Sequence, residues 1–332
     1  MKLIKIDAQS RTTKYRQIMQ SIEKAIADKR LQLNEKLPSV NKVSIGYSVS
    51  RDTVLQAYEE LKKKGVIYAV TGKGYYVKSQ EMLFDKRIFL LFDELNAFKE
   101  DIYNAFKLAM GNKTEIDIYF HHFNVKQFTK LVNDSNGNYS TYVIMPTNLI
   151  GVEAVIKCLP KNDVYILDQT NDTLRNYPSI CQQFSKDMYN GLKKANRLLK
   201  KYTRMMLIFP GEKEPIGMVE GFIQFCEEEG MPYAVVSDFQ NHIIEAGTAF
   251  VVPNDFHLVN IIEQAKQQQL TIGKSVGIVS YNDIPLKKVV ENGITTISTD
   301  FKKMGATLAN MIKEGQKLQI ENPSNLIVRN SL

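Results

Sequence analysis

The chain contains few of the residues from which disulfide frameworks and metal centres are built. Its 332 residues include three cysteines, Cys158, Cys181 and Cys226, and four histidines. The cysteines are odd in number, far apart and outside any CxxC pattern, so we expect free thiols in a cytoplasmic protein. His121 and His122 are adjacent and would point to opposite faces of a strand, with no carboxylate or thiol at ligand spacing. The sequence therefore predicts neither a metal site nor a cofactor.

Two further absences exclude classes of protein. No apolar run approaches the ~20 residues that span a bilayer, and the first residues, MKLIKIDAQSRTTKYRQ, lack the apolar core of a signal peptide, so we expect no membrane contact. The phosphate loop GxxxxGK[ST], the esterase elbow GxSxG and the metalloprotease pattern HExxH are also missing. The glycine pair at Gly72 and Gly74 is too short for a dinucleotide fingerprint. Catalysis therefore has no support in the sequence.

Positive charge is concentrated in the first quarter of the chain. The formal net charge is +7, but residues 1–80 hold 16 Lys and Arg against 7 Asp and Glu, or +9, and residues 81–332 hold 27 against 29, or −2. A basic domain is what neutralisation of DNA phosphates requires. For the run Lys62-Lys63-Lys64 taken alone, we prefer the interpretation of a solvated helix face.

The stretch from Leu37 to Val77 has the pattern of a helix-turn-helix followed by a β-hairpin. Ser39 and Ser50 each stand where a helix N-cap is expected. An upstream amphipathic segment, Thr13 to Lys29, completes a three-helix core. Two β-prone segments flank Thr71-Gly72-Lys73-Gly74 and predict a hairpin with a cationic tip. The expected inward stripe of the second helix consists of Val54, Ala57, Tyr58 and Leu61.

Four blocks in this stretch, LPSV, SRDTV, AYEELKKKG and GKGYYV, resemble in order and spacing the winged-helix operator-binding domain of the GntR family of bacterial transcription regulators. The resemblance implies double-stranded operator DNA as a partner, and a homodimer would read two half-sites. Where the family usually has Arg after Pro-Ser-x, this chain has Asn41 followed by Lys42, and Leu55 replaces a second basic residue. The expected DNA contacts are Ser39, Asn41, Lys42, Ser50, Arg51, Thr53, Gly72 and Lys73.

After residue 86, β-prone apolar runs alternate with helical patterns. The alternation predicts parallel sheets flanked by helices, in two lobes with a crossover near Asp168 to Ser185. A ligand would bind at the carboxyl ends of the strands, between the lobes. The predicted strands are Ile88–Phe92, Ile116–Phe120, Tyr142–Met145, Val164–Leu167, Met205–Phe209, Tyr233–Val236 and Phe250–Val252. The predicted helices include one that ends near Met110, one that carries Val155–Cys158 and one from about Asp187 to Lys200.

The C-terminal blocks carry a second resemblance. The segments PNDFHLVNIIEQAKQQQLTIGKSVGIVSYND, GITTISTDFKKMGATLANMIKEG and LIVRNSL resemble the periplasmic-binding-protein-like effector domain of LacI/GalR regulators. Met218 stands where that family often has Arg. A GntR winged helix followed by such a domain is the arrangement of arabinose-type repressors, which implies a small-molecule effector, in first place a sugar.

The resemblance places effector contacts at Asn254 and Asn282, whose amides suit a vicinal diol. The alternatives are that Asn254 caps the following helix and that Asn282 shapes a turn. Asp93 and Asp168, at the ends of predicted strands, are further candidates. Aromatic faces for a sugar ring, each of which also fits core packing, are offered by Phe92, Phe98 and Tyr119.

We therefore predict an α/β protein with an N-terminal winged helix-turn-helix (residues 1–78, α+β), a linker (79–86) and a two-lobed periplasmic-binding-protein-like domain (87–332). The predicted function is that of a ligand-responsive, sequence-specific transcription regulator, a repressor controlled by a monosaccharide or its derivative. Two alternatives stay open. The effector could be a nucleoside or another small polar metabolite, or the chain could be a sugar-metabolising enzyme with a fused DNA-binding domain.

Overall fold

The computed structural model describes residues 3–7, 12–79, 86–211, 213–239 and 243–332. Most of the predicted linker, residues 80–85, lies outside them, so the proposed domain boundaries stay predictions. The described residues form two compact units, one holding residues up to 91 with 110–144 and 151–165, the other residues 92–109, 145–150 and 166–332. No described helix has the length and apolar character needed to cross a bilayer.

The N-terminal domain packs helices against a two-stranded hairpin. Its described elements are α1 (Lys14–Ala27), α2 (Val40–Tyr47), α3 (Arg51–Lys63), β1 (Ile67–Val70) and β2 (Gly74–Val77). The two strands are antiparallel, with Ile67 opposite Val77 and Val70 opposite Gly74. The predicted winged helix-turn-helix is therefore confirmed.

Tyr58 of α3 fixes the position of this helix relative to the hairpin. The stripe predicted on α3 is fully buried, and Tyr58 has 0% exposure. Its hydroxyl donates a hydrogen bond to the Pro38 carbonyl at 2.7 Å, and its ring meets the Tyr75 ring edge-on at 4.9 Å between centroids. One side chain thus contacts the segment before α2 and strand β2, and an edge-to-face aromatic pair adds about 0.5–1.5 kcal/mol beyond area burial.

Beyond residue 86, strands and helices alternate as predicted. The strands are β3 (Lys86–Phe92), β4 (Thr114–Phe120), β5 (Thr141–Ile144), β6 (Val164–Asp168), β7 (Ser179–Cys181), β8 (Arg204–Ile208), β9 (Tyr233–Val236), β10 (Thr248–Val252), β11 (Gly277–Tyr281), β12 (Thr295–Thr299), β13 (Gln319–Glu321) and β14 (Ser324–Ile327). The helices are α4 (Ala97–Met110), α5 (Val125–Ser135), α6 (Val152–Ile156), α7 (Phe184–Leu199), α8 (Gly217–Glu229), α9 (Asp255–Gln267) and α10 (Phe301–Glu314). Short 3-10 turns lie at Lys161–Asp163, Asp172–Leu174, Pro285–Lys288 and Val290–Asn292. The prediction that Cys158 lies on a helix is wrong, because α6 ends two residues earlier, at Ile156.

The strands form two six-stranded sheets. The first has the order β13-β7-β6-β5-β3-β4 and the second the order β14-β12-β11-β10-β8-β9. Strands β8, β9, β10, β11 and β12 run parallel in the second sheet, whereas β14 is antiparallel to β12. The prediction of parallel sheets is confirmed, with an antiparallel edge strand that the sequence did not reveal.

Within the described residues the chain passes between the two sheets at three places rather than one. The predicted crossover, Asp168 to Ser185, contains β7, which pairs in parallel with β6, so the chain leaves the first sheet only after Cys181. It returns through α10 to β13 and then enters β14. Asn322 links these passages through hydrogen bonds. Its backbone N–H donates to the Cys181 carbonyl at 2.8 Å, and its side-chain Nδ2 donates to Thr299 Oγ1 at 2.7 Å and to the Asp300 carbonyl at 3.0 Å.

Two helical glycines allow close packing of helices in this region. A Cβ atom at Gly221 of α8 would overlap the carbonyl oxygen of Ser185, and one at Gly305 of α10 would overlap that of Ile102 in α4. Backbone atoms cannot move aside as side-chain ends do, so any larger residue would force these helices apart.

Candidate functional site

The first turns of α2 and α3 carry most of the residues expected to contact DNA. Ser39 Oγ accepts the Lys42 N–H at 3.2 Å, and Ser50 Oγ accepts the Thr53 N–H at 3.1 Å, so both predicted N-caps are confirmed. The hydroxyls of Ser50 and Thr53 also hydrogen-bond to each other at 2.7 Å. The caps fix the backbone at the starts of both helices and so orient the side chains that follow them.

Exposed polar and cationic side chains follow these caps. Asn41 and Lys42 on α2 and Arg51 on α3 are exposed, as is Lys73 at the tip of the hairpin. Among the described residues, no ion pair neutralises Lys42, Arg51 or Lys73. Their charge is therefore available to DNA phosphates or base edges.

The lysine run at the end of α3 differs from these cations because its own domain neutralises it. The three ammonium groups lie 2.7–3.3 Å from carboxylate oxygens. The arrangement supports the interpretation of this run as a solvated helix face. The pairs are Lys62–Glu59, Lys63–Glu60 and Lys64–Glu23.

The hairpin tip depends on backbone conformations that favour glycine. Gly72 and Gly74 have φ of +73° and +113°, a region that residues with a Cβ rarely adopt. Between them, the Lys73 N–H donates to the Val70 carbonyl at 2.9 Å and closes the turn. Sequence reasoning missed a second cation at this hairpin, Lys36, whose ammonium lies 6.0 Å from the centroid of the Tyr76 ring. The only sequence signal for it is its position just before the LPSV block.

Asp93 and Asp168 are brought together by a buried lysine that sequence reasoning missed. Lys99 Nζ lies 3.3 Å from Asp93 Oδ2 and 3.4 Å from Asp168 Oδ2, and the Lys99 side chain is 3% exposed. Burial lowers the pKa of Lys99, but the two carboxylates outweigh burial and the net shift is upward, so the amine stays charged. Burial raises the pKa of Asp93 by more than the Lys99 ammonium lowers it.

A sequence signal for Lys99 exists in the periodicity of α4. Lys99, Ile102 and Phe106 share the register i, i+3, i+7, and Ile102 and Phe106 have 0% exposure. A lysine on the apolar stripe of a helix predicts a buried charge with a partner elsewhere in the fold. The partner itself cannot be read from the helix.

Gln182 extends this cluster to the first passage between the sheets. Its Nε2 donates to Asp168 Oδ1 at 2.6 Å, and its N–H donates to the Asp168 carbonyl at 2.9 Å. Its Oε1 is buried without a hydrogen-bond partner among the described residues, as is the hydroxyl of Tyr281. Burial raises the pKa of Tyr281, and the negative charges of Asp187 and Asp168 add to the shift. Two buried polar groups, Gln182 Oε1 and the Tyr281 hydroxyl, are therefore left without a hydrogen-bond partner among the described residues.

Asn254 caps the helix that follows it. Its Oδ1 accepts the Phe256 N–H at 2.9 Å, which confirms the cap that the sequence allowed. Its Nδ2 donates to Glu214 Oε1 at 3.4 Å. The cap therefore occupies only the oxygen, while the amide nitrogen faces a carboxylate in the segment after β8.

Asn282 shapes a turn and keeps one polar atom open. Its φ is +60°, and its carbonyl accepts the Lys287 ammonium at 2.8 Å. Lys287 also lies 2.8 Å from Asp255 Oδ1, and burial lowers its pKa by more than Asp255 raises it. Asn282 Oδ1 is buried and has no hydrogen-bond partner in the described part of the chain.

Polar contacts join the segments that follow β3, β5 and β8. Lys213 Nζ lies 2.7 Å from Glu94 Oε2. Asn148 Nδ2 donates to the carbonyls of Lys213 at 3.5 Å and Glu214 at 3.3 Å. The structure thus joins Asp93 and Asp168 through Lys99. It also places Asn254 beside Glu214, and the residue before Glu214, Lys213, pairs with Glu94, the residue after Asp93. Asn282 is joined through Lys287 to Asp255, the residue after Asn254.

The C-terminal VRNS block has a structural role. Arg329 forms two hydrogen bonds with the Asp283 carboxylate, at 2.6 and 2.8 Å. Burial raises the pKa of Asp283, but Arg329 outweighs burial and the net shift is downward. Ser331 Oγ donates to the Ile278 carbonyl at 2.7 Å. Arg329 and Ser331 therefore hold this block against the second sheet.

The aromatic candidates pack against other rings or lie in the core, as their alternative interpretation predicts. Phe98 stacks on Phe301 at 4.8 Å, Tyr119 stacks on Phe89 at 4.9 Å, and Phe92 is 1% exposed. All three cysteines are free thiols. In the described ranges, no three His, Cys, Asp or Glu side chains are grouped so that they could hold a metal ion.

Comparison with protein families confirms both resemblances. Residues 14–77 match the bacterial regulatory proteins of the gntR family, and residues 198–332 match the periplasmic binding protein-like domain. Over 338 aligned residues, 90% of each chain, the protein is 22% identical to the arabinose metabolism transcriptional repressor of Geobacillus stearothermophilus. These matches describe regulatory and binding domains, so the alternative of an enzyme is not supported.

Solved structures share the fold of the region beyond the winged helix. The trehalose repressor from Escherichia coli aligns with a TM-score of 0.62 and 13% identity over 73% of this chain and 100% of its own. A lac repressor dimer bound to operator and the anti-inducer ONPF aligns with a TM-score of 0.60 and 18% identity over 74% of this chain and 93% of its own. At these identities the likeness establishes the fold alone.

The buried cluster yields a stability prediction. Lys99→Met leaves Asp93 and Asp168 buried without their cation, and we expect it to lower the free energy of unfolding by about 3–5 kcal/mol at pH 7. Burial raises the pKa of Asp93 in the folded state, and loss of the Lys99 ammonium removes a group that opposes this rise. The loss of stability is therefore full above the raised pKa of Asp93 and shrinks as the pH falls and this carboxyl takes up a proton. Urea denaturation at pH 7 and pH 5 measures both effects.

The matched control is Lys186→Met, which removes an exposed ion pair with Glu321 (2.6 Å; Lys186 is 62% exposed) and should lower the free energy of unfolding far less than Lys99→Met does. The double variant Lys99→Met/Asp168→Asn should recover part of the loss because one buried charge is removed. Equal losses for Lys99→Met and Lys186→Met would contradict the role given to Lys99.

Proposed function

We propose that this protein, a transcription regulator in which a gntR-family DNA-binding domain precedes a periplasmic-binding-protein-like effector domain, is a cytoplasmic repressor whose affinity for its operator is controlled by a monosaccharide or sugar derivative. Residues 1–78 bind DNA, residues 79–86 link the domains, and residues 87–332 bind the effector and pair two chains. The two similar proteins named above, an arabinose metabolism transcriptional repressor and a trehalose repressor, support the proposal.

The observation that carries the effector assignment is the position of the four candidate residues. Asp93, Asp168, Asn254 and Asn282 each lie at or just after the carboxyl end of a strand in a mainly parallel sheet. In open α/β folds, loops at this edge bind ligands. Carboxylates and amides there offer the acceptors and donors that vicinal hydroxyl groups require.

Control of DNA binding requires that the effector prefer one of two arrangements of the dimer. A ligand shifts such an equilibrium only by its differential affinity for the two states, and allosteric couplings of ~1–3 kcal/mol change operator affinity by roughly 5- to 150-fold. The ion pair between Glu94 and Lys213 and the hydrogen bonds of Asn148 are contacts that a bound ligand would strengthen or replace.

The first prediction separates base reading from phosphate contact. Arg51→Ala should weaken operator binding by ~1–3 kcal/mol and relax specificity, because an arginine in the first turn of a recognition helix reaches base edges. Lys73→Ala should reduce the slope of log affinity against log salt concentration by about 1, because one phosphate contact is lost. Titration of operator and random DNA at several salt concentrations measures both.

Lys63→Ala is the control for these variants, because Lys63 already pairs with Glu60 at 2.7 Å and should contribute little. If Arg51→Ala bound the operator with wild-type affinity and salt dependence, the DNA contact assigned to Arg51 would be refuted. A larger loss of operator affinity in Lys63→Ala than in Arg51→Ala would also refute it.

The second prediction concerns pairing of two chains. One winged helix reads only a few base pairs, so we expect a homodimer on a two-fold operator. An exposed apolar patch on α9 and the adjoining 3-10 turns suits a second copy: Phe256, Val259, Leu286 and Val289 are 62%, 51%, 66% and 71% exposed. Such patches on a protein surface mark interaction sites.

Leu286→Asp should shift the protein toward monomer and weaken operator binding, because it places a charge in the apolar interface. Leu318→Asp changes a leucine that is 52% exposed between α10 and β13 and should leave the dimer intact. Sedimentation velocity with and without operator gives the mass. A monomeric wild type on operator would refute the dimer, and a dimeric Leu286→Asp would refute this patch.

The third prediction tests the effector contacts with variants that keep the backbone. Asn254→Ser retains an oxygen to cap α9 but loses the amide donor, and Asn282→Gly retains the left-handed turn but loses Oδ1. Each should weaken the effector response by about tenfold, since a lost hydrogen bond costs ~1–2 kcal/mol, without changing operator affinity in the absence of effector. Operator titrations with the effector found by a thermal-shift screen measure this response.

Matched controls exist for both variants. Asn124→Ser changes the exposed N-cap of α5, whose Oδ1 accepts the Gln127 N–H at 3.0 Å, and Asn292→Gly changes an exposed asparagine with φ of +58°. Neither should alter the response. A full response in both Asn254→Ser and Asn282→Gly would exclude them as contacts, and a bound ligand that never changed operator affinity would refute the proposed control.

A further inference from the structure

We infer that the effector is an uncharged polyhydroxylated molecule and that the site rejects the phosphate esters of such molecules. The inference rests on the proposed function, which places the effector at the strand ends, and it narrows the class of effector. It follows from the charges, caps and unpaired atoms at that edge. The residues that carry the charges, called the strand-end cluster below, are Asp93, Glu94, Lys99, Asp168, Lys213, Glu214, Asp255 and Lys287.

The cations of the strand-end cluster are already neutralised. Lys99 lies between Asp93 and Asp168 at 3.3 and 3.4 Å, and Lys213 lies 2.7 Å from Glu94. Lys287 lies 2.8 Å from Asp255, and burial lowers its pKa, which further weakens it as an anion ligand. A phosphate dianion would have to compete with these carboxylates for each ammonium group.

The balance of formal charge in the cluster is negative. Five carboxylates stand against three ammonium groups, a formal charge of −2. Arg329 does not correct this balance, because both its terminal nitrogens bind the Asp283 carboxylate. A ligand with negative charge would meet net repulsion in a partly desolvated site, where like charges are costly.

Side chains occupy three of the helix N-termini near the cluster. A free helix N-terminus is a ready site for phosphate. Here Asn96 Oδ1 accepts the Lys99 N–H of α4 at 3.1 Å, Asn254 caps α9, and Asp300 Oδ1 accepts the Lys303 N–H of α10 at 2.9 Å. Helices α7 and α8 begin without a side-chain cap, but their first turns carry the acidic Asp187 and Glu220, which disfavour a phosphate.

The buried polar atoms that lack partners match hydroxyl groups. Gln182 Oε1 and Asn282 Oδ1 are buried acceptors without partners among the described residues, and the Tyr281 hydroxyl is buried and unpaired as well. Amide oxygens require a donor, and a phosphate dianion has none. Sugar hydroxyls donate and accept, so a neutral polyol can satisfy these atoms, whose burial without partners is otherwise costly.

The test compares matched pairs of ligands on the full chain. Arabinose, ribose, glucose and adenosine are each titrated beside their 5- or 6-phosphate monoesters by calorimetry and by thermal shift, and each ligand that binds is then added to the operator complex. We expect at least one neutral member to bind about tenfold or more tightly than its phosphate ester and to change operator affinity.

Two variants, each of which removes one negative charge, test whether the charge of the strand-end cluster causes the preference for the neutral ligand. Glu94→Gln removes one carboxylate from the strand-end cluster, so it should narrow the preference for the neutral ligand by about fivefold or more, mainly through tighter binding of the phosphate ester. Asp172→Asn also removes one carboxylate from an ion pair, with Arg175 at 2.6 Å, but Asp172 is 84% exposed and outside the cluster. It should leave the preference unchanged.

The outcomes separate this inference from the proposed function. If a phosphate ester binds as tightly as its neutral partner and changes operator affinity, the proposed function stands and the inference is overturned. If Glu94→Gln, with its fold intact by circular dichroism, prefers the neutral ligand over its phosphate ester as strongly as the wild type does, then the negative charge of the cluster is not the cause of the preference. If no member of any pair binds, the sugar effector of the proposed function falls, and the inference falls with it.

Discussion

The ammonium group of Lys99 can be buried only if carboxylates surround it, and this requirement organises the region around the candidate effector site. An unpaired buried charge costs several kcal/mol. Asp93 follows β3, Asp168 ends β6 and Lys99 lies in the first turn of α4, so satisfying one charge fixes three elements at the same sheet edge. Gln182 extends this arrangement to the passage toward the second sheet.

The winged helix uses charge in the opposite way. Its cations at Lys42, Arg51 and Lys73 are exposed, where water solvates them and no partner is required. Such charges contribute little to folding but are free to release counterions from DNA. The geometry of this domain depends instead on a buried neutral residue, Tyr58, which joins α3 to the hairpin and to the start of α2. The two regions are thus held in place by different interactions: buried ion pairs at the strand ends, and a buried neutral side chain in the winged helix.

Much of the fold could be predicted because it follows from local patterns. The caps at Ser39 and Ser50, the apolar stripe on α3 and the longer strands depend on neighbours within a few residues. Strands β7 and β13 have three residues each, too few to establish a period of two, and their pairing depends on the sheet they join. The residues that complete the candidate site were missed for a related reason: Gln182 and Glu214 resemble ordinary loop residues until their partners are known.

The sequence by itself determined the kind of protein, its basic reading domain and the polar residues that follow the strands, because each of these properties is written in spacing, composition and short blocks. Tertiary structure alone decided which charges meet. Lys99 and Asp168 are 69 residues apart, and Lys213 and Glu94 are 119 residues apart. No periodicity along the chain encodes such pairs, since they depend on sheet order and on the passages between the sheets. The burial that makes them energetically decisive exists only after the chain has folded.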